Sequence, residues 1–122
     1  MSQTILYIED NQVNMDLVQA LSESAGYGFI GAFSGKEGIK LAQEHTPDLI
    51  ICDYHLPFMN GYDVVRALRA DDKTKHIPII MLTADLYTVS EGAKLGVNDY
   101  INKPIRRNMF LSRVEKILKP QA

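Results

Sequence analysis

Pro47-Asp48-Leu49-Ile50-Ile51-Cys52-Asp53 decides the fold. Four apolar residues in a row, β-branched in the middle and lacking polar alternation, predict a strand covered on both faces. Ile5 to Ile8 and Ile77 to Leu82 read the same way. Weaker strands are expected at the Gly-flanked Phe29 to Phe33 and at Tyr100-Ile101. Helical spacing fills the intervals: Val13, Leu17 and Leu21 at four-residue steps, then Ile39, Leu41 and Ala42, then Val64, Val65 and Leu68. A last amphipathic helix carries Phe110, Leu111, Val114, Ile117 and Leu118. Gly26 and Gly28 are expected to end the first helix, Thr46-Pro47 to precede the central strand, and Gly96 to close the fourth helical segment. Five β-α units joined by right-handed crossovers predict an α/β, doubly wound parallel sheet with helices on both faces. The flavodoxin-like strand order 2-1-3-4-5 is the natural choice.

The chain has 122 residues, 46% of them hydrophobic and 23% charged, so one domain over 1–122 is expected. Thirteen basic against fifteen acidic residues give a net charge of −2, which supplies no global field for nucleic acid. No run approaches the ~18 apolar residues of a membrane span. Cys52 has no partner for a disulfide and reads as a small buried core residue. With no positive region leading into an apolar signal core at the N-terminus, a cytoplasmic setting is expected. Pro120-Gln121-Ala122 reads as a frayed end or the start of a linker.

In an open α/β sheet, ligands bind beyond the carboxyl ends of the strands, near the point where strand order reverses. The predicted strands end in Glu9-Asp10, Asp53, Thr83 and Lys103-Pro104. Three carboxylates, a hydroxyl and an ammonium would meet on one rim. Carboxylates crowded together repel one another unless protonated or matched by a cation, and an all-oxygen set suits a hard ion such as Mg²⁺. Taken singly, Asp10 or Asn11 reads as the cap of the first helix.

Ile8-Glu9-Asp10-Asn11, the run Asp53-Tyr54-His55-Leu56-Pro57-Phe58-Met59-Asn60-Gly61, Leu82-Thr83-Ala84 and Asp99-Tyr100-Ile101-Asn102-Lys103-Pro104 together resemble the receiver domain of bacterial two-component response regulators. The likeness spans the whole chain. It implies that Asp53 accepts a phosphoryl group from a phosphohistidine on a sensor histidine kinase or phosphotransfer protein. It also implies that Asp10, Asp53 and the backbone carbonyl of His55 bind Mg²⁺, with Glu9 acting through a metal-bound water. Lys103 would pair with one phosphoryl oxygen and Thr83 with another, and the Lys103-Pro104 bond would be cis. Thr83 and Tyr100 would then switch a surface of helix four, strand five and helix five read by a downstream protein.

Three features set this chain apart from the pattern. Glu9 stands where the family more often has Asp; His55 and Asp85 would flank the path of a hydrolysing water; and only 20 positions separate Thr83 from Lys103, so helix four is expected to be short or reoriented, with Leu86 and Tyr87 exposed. Arg106, Arg107, Arg113 and Lys116 crowd the last helix, as a solvated basic face or a docking face for an acidic partner. Two other classes use overlapping chemistry. An aspartyl phosphohydrolase would place a second Asp two positions after the nucleophile, where this chain has His55. A flavin or nucleotide module would need a Gly- or hydroxyl-rich loop after the first strand, where Glu9-Asp10-Asn11-Gln12 would repel phosphate.

Overall fold

The computed structural model describes residues 3–84 and 89–118. Within them the strands are β1 (Thr4–Ile8), β2 (Gly28–Ala32), β3 (Leu49–Asp53), β4 (Ile79–Thr83) and β5 (Asp99–Asn102). They alternate with α1 (Gln12–Ser24), α2 (Gly35–His45), α3 (Gly61–Arg69), α4 (Val89–Leu95) and α5 (Arg107–Ile117). The sheet is parallel throughout, in the order β2-β1-β3-β4-β5. Asp85, Leu86, Tyr87 and Thr88, on which part of the helix-four expectation rests, lie outside the described residues.

Side chains alternate across the sheet with period two, and each face buries its own apolar set. Leu6, Ile8, Ile50, Cys52, Ile79 and Met81 pack with Ala42 of α2 and Val64, Val65 and Leu68 of α3. Ile5, Tyr7, Leu49, Ile51, Ile80 and Leu82 pack with Met15 and Val18 of α1 and Phe110 and Val114 of α5. Each fully buried Ile, Leu or Val contributes roughly 1.5–3 kcal/mol. The central strands have no solvent face, which is why they read as unbroken apolar runs. Cys52 is fully buried, as expected.

Some boundaries differ from the sequence reading. Ile77 is buried but precedes β4: its N–H donates to Thr74 O at 3.1 Å in a turn. Pro78 has no N–H to give the ladder, and the strand starts at Ile79. In α1 the inward residues are Met15, Val18, Leu21 and Ser22, whereas Val13 is 74% and Leu17 39% exposed. Asn11 caps this helix by accepting from Asn14 N at 2.9 Å, and that starting point sets which face meets the sheet. Gly26 ends the α1 turn with a left-handed φ of 90°, but Gly28 opens β2 opposite Thr4.

Candidate functional site

The register brings the predicted rim together. Ile8 lies beside Cys52, Asp53 beside Leu82 and Thr83 beside Asn102. Glu9, Asp53, Thr83 and Lys103 therefore follow one another along the carboxyl edge, where the crossovers from β1 depart in opposite directions. Glu9, Asp10 and Asp53 each offer an oxygen within 4.8 Å of the others. Glu9 and Asp53 are buried and Asp10 is exposed, so the crevice opens on the Asp10 side. Because Asn11 caps α1, Asp10 is left to the cluster.

Lys103 is the cation among these acids. Its Nζ lies 2.9 Å from Asp53 Oδ2 and 3.7 Å from Glu9 Oε1. The Lys103-Pro104 peptide is cis, and Lys103 N–H donates to Thr83 O at 3.0 Å, joining the ends of β4 and β5. Asp53 Oδ1 accepts from His55 N at 3.3 Å. Thr83 is fully buried at the end of β4. Tyr100 is half-buried, with its hydroxyl 3.3 Å from that of Tyr62. His55 is exposed, and Asp85 lies outside the described residues. Arg113 leaves the basic group of α5 to bond Asp99 at 2.9 and 3.2 Å, while Arg106, Arg107 and Lys116 face solvent.

Two residues that pattern reading missed hold Glu9. The buried Tyr7 hydroxyl donates to Oε1 at 3.0 Å, and Asn14 Nδ2 donates to the same oxygen at 3.0 Å. Oε2 accepts from Asp10 N at 3.1 Å and from Asn11 N at 3.5 Å. Tyr7, two positions before Glu9 in an otherwise apolar strand, was the available signal, because a buried phenol needs a partner. With donors on both oxygens, the longer Glu side chain is tied to the crevice wall. Phe58, in the loop after β3, is fully exposed at a φ of 69°.

Burial, followed by the hydrogen bond and repulsion it shares with Asp53, pushes the Glu9 carboxyl above the usual carboxylate range; Lys103 and Asn14 pull the other way. The Cys52 thiol is pushed up by burial and then by Asp53 and Glu9, which keeps it inert. A carboxyl raised on folding holds its proton longer in the folded than in the unfolded chain. Its contribution to stability is therefore full below the ordinary Glu value and is lost as pH rises through the raised one. Glu9→Gln can direct its carbonyl to the backbone amides of Asp10 and Asn11. In chelator the parent is expected to lose thermal stability relative to this variant between mildly acid and neutral pH. A melting-temperature gap that stays constant over that range would contradict it.

The site is thus an acidic rim closed by a lysine at the carboxyl edge of a doubly wound parallel sheet. Comparison with known proteins gives the family: the response regulator receiver domain model matches residues 5–115, and this chain belongs to that family. It is 37% identical over 123 aligned positions to the polar-differentiation response regulator DivK of Brucella ovis, covering 97% of this chain and 98% of that one. The chemotaxis protein CheY4 of Vibrio cholerae superposes with a TM-score of 0.91 at 28% identity, covering 96% of this chain and 99% of that one. The receiver domain of the sensor histidine kinase PA1611 from Pseudomonas aeruginosa superposes at 0.88 with 30% identity, covering 98% and 100%, and holds a magnesium ion in its active site cleft. The chain is thus a two-component receiver, from a family of signalling switches that work with histidine kinases or phosphotransfer proteins and with downstream targets. None of the described helices is long and apolar enough to cross a membrane.

Proposed function

We propose that residues 1–122 form one receiver domain that accepts a phosphoryl group on Asp53. The observation that carries this is the 2.9 Å pair between Lys103 Nζ and Asp53 Oδ2 inside the Glu9, Asp10, Asp53 cluster. Carboxyl groups outnumber the one ammonium in the cluster and offer only oxygen donors, which fits Mg²⁺. Asp10, Asp53 and the His55 carbonyl would hold the ion, with Glu9 adding charge from the wall through a water. When bound, it supplies neutralisation of the phosphoryl oxygens.

The Asp53 carboxylate forms the new P–O bond while the P–N bond of a partner's phosphohistidine breaks, the imidazole leaving with that electron pair. Lys103 moves from Asp53 to a phosphoryl oxygen, and the Thr83 hydroxyl takes another. This is positioning and electrostatic work, with little proton chemistry asked of the side chains. Recruitment of Thr83 vacates space that lets Tyr100 turn inward, and the surface of α4, β5 and α5 changes for a downstream protein. The chain catalyses only its own phosphorylation and dephosphorylation and works in the cytoplasm. Intact mass after mixing with acetyl phosphate tests the reading: one phosphoryl group is gained with Mg²⁺ and none in chelator, and equal labelling in both would contradict the metal assignment.

A further inference from the structure

Glu9 is buried just beyond the end of β1, so its carboxyl group must find its hydrogen bonds within the protein. Period-two alternation puts Tyr7 on the same side of the sheet, the side covered by α1 and α5. The phenol is fully buried and donates to Glu9 Oε1 at 3.0 Å. A second donor comes from α1. Asn11 caps that helix by accepting from Asn14 N, which fixes the first turn, and Asn14 Nδ2 reaches the same Oε1 at 3.0 Å.

One competitor stands beside this pair of donors. Lys103 Nζ lies 3.7 Å from Glu9 Oε1, too far for a hydrogen bond but near enough to draw a carboxylate. The same ammonium is bonded to Asp53 Oδ2 at 2.9 Å. Tyr7 and Asn14 hold Oε1 against the wall of β1 and α1 and so leave Lys103 to Asp53. Glutamate has one more rotatable bond than aspartate, and that added freedom is what the two donors remove.

We propose that Tyr7 and Asn14 are positioning residues for the Mg²⁺ site, which hold the Glu9 carboxyl available to the ion and off Lys103. This deepens the metal assignment proposed above and rests on it. The competitor sets the sign. Without the two donors the carboxylate closes the 3.7 Å gap, and the charge it would offer the ion is neutralised by the ammonium. Mg²⁺ binding then weakens.

The test is a Mg²⁺ titration of the full chain at mildly alkaline pH, following the amides of Asp10 and Asp53 by NMR. Tyr7→Phe keeps the buried ring and loses the hydroxyl, and Asn14→Ala removes the other donor from a half-buried position in α1. Each variant is expected to bind Mg²⁺ about tenfold more weakly than the parent, the lower end of what residues holding a metal site's carboxylates contribute. In a Glu9→Gln background, with no charge left to hold, either substitution should change the affinity by less than about twofold. If Tyr7→Phe fails to fold, Asn14→Ala decides alone. Unchanged or tighter binding in a folded variant overturns the clamp, and so does equal weakening in the Glu9→Gln background, which would mark a merely structural role. A parent whose amides do not respond to Mg²⁺ overturns the metal assignment as well.

Discussion

Asp53→Asn mixed with acetyl phosphate and Mg²⁺ is expected to keep its unmodified mass under conditions where the parent gains one phosphoryl group. The amide keeps the shape of the side chain and an oxygen to accept from His55 N, so the loop after β3 has no reason to move. What it lacks is the nucleophilic carboxylate and the charge that Lys103 answers at 2.9 Å. Loss of a covalent nucleophile costs on the order of 10³-fold or more in rate, so the label should fall below detection. The variant should also fold, because neutralising one of three crowded carboxylates relieves repulsion in the cluster. Labelling of the variant as strong as the parent's would put the acceptor elsewhere.

The largest expected effect on stability lies at the opposite end of the sheet. From the C-terminus of α3, Arg69 donates to the carbonyls of Lys75 at 2.8 Å and Ile77 at 2.7 Å. It also donates to Gly96 O at 2.8 and 3.2 Å and to Asn98 Oδ1 at 3.0 Å. One guanidinium thus ties α3 to the approach of β4 and to the turn between α4 and β5. Gly96 holds a φ of 100°, and a Cβ there would stand 2.8 Å from Arg69 Nε, so the turn and the arginine fit each other. Burial lowers the Arg69 pKa from its ordinary value without threatening its charge, since the group starts far above neutrality. Arg69→Met keeps most of the apolar stem and removes all of these donors. It is expected to cost on the order of 3 kcal/mol, because partly buried carbonyls are left with fewer partners. For a domain of this size that corresponds to a melting temperature lower by about 10 °C. A loss under about 1 kcal/mol in chemical denaturation would mean that water replaces the guanidinium at those carbonyls.

How far the sequence was legible follows from where each signal is written. β1, β3 and most of β4 were readable because both faces are buried, and the rim because each strand breaks abruptly into a charged or hydroxyl residue. Continuous hydrophobicity marks burial rather than strand, which is why Ile77 was drawn into β4 although Pro78 prevents the ladder from starting there. Val13, Leu17 and Leu21 have helical spacing, but the Asn11 cap turns Val13 and Leu17 outward, and only the folded entry to α1 reveals that phase. Arg69, Asn14 and Tyr62 act on partners 27, 5 and 38 positions away, through backbone carbonyls, a carboxylate and another phenol. No local pattern records such pairings. The Lys103 to Asp53 contact spans 50 positions; the strand ends placed both residues on one rim, and the resemblance gave Lys103 its phosphoryl-pairing role there.

One measurement tests the central claim most directly. The parent is phosphorylated with acetyl phosphate and Mg²⁺, the acyl phosphate is reduced with borohydride, and the peptides are sequenced by mass spectrometry. Conversion of Asp53 to homoserine, with Glu9 and Asp10 unchanged, is the result the account predicts. Reduction at Glu9 or Asp10 instead, or an intact Asp53 in protein that carried the label, would contradict it.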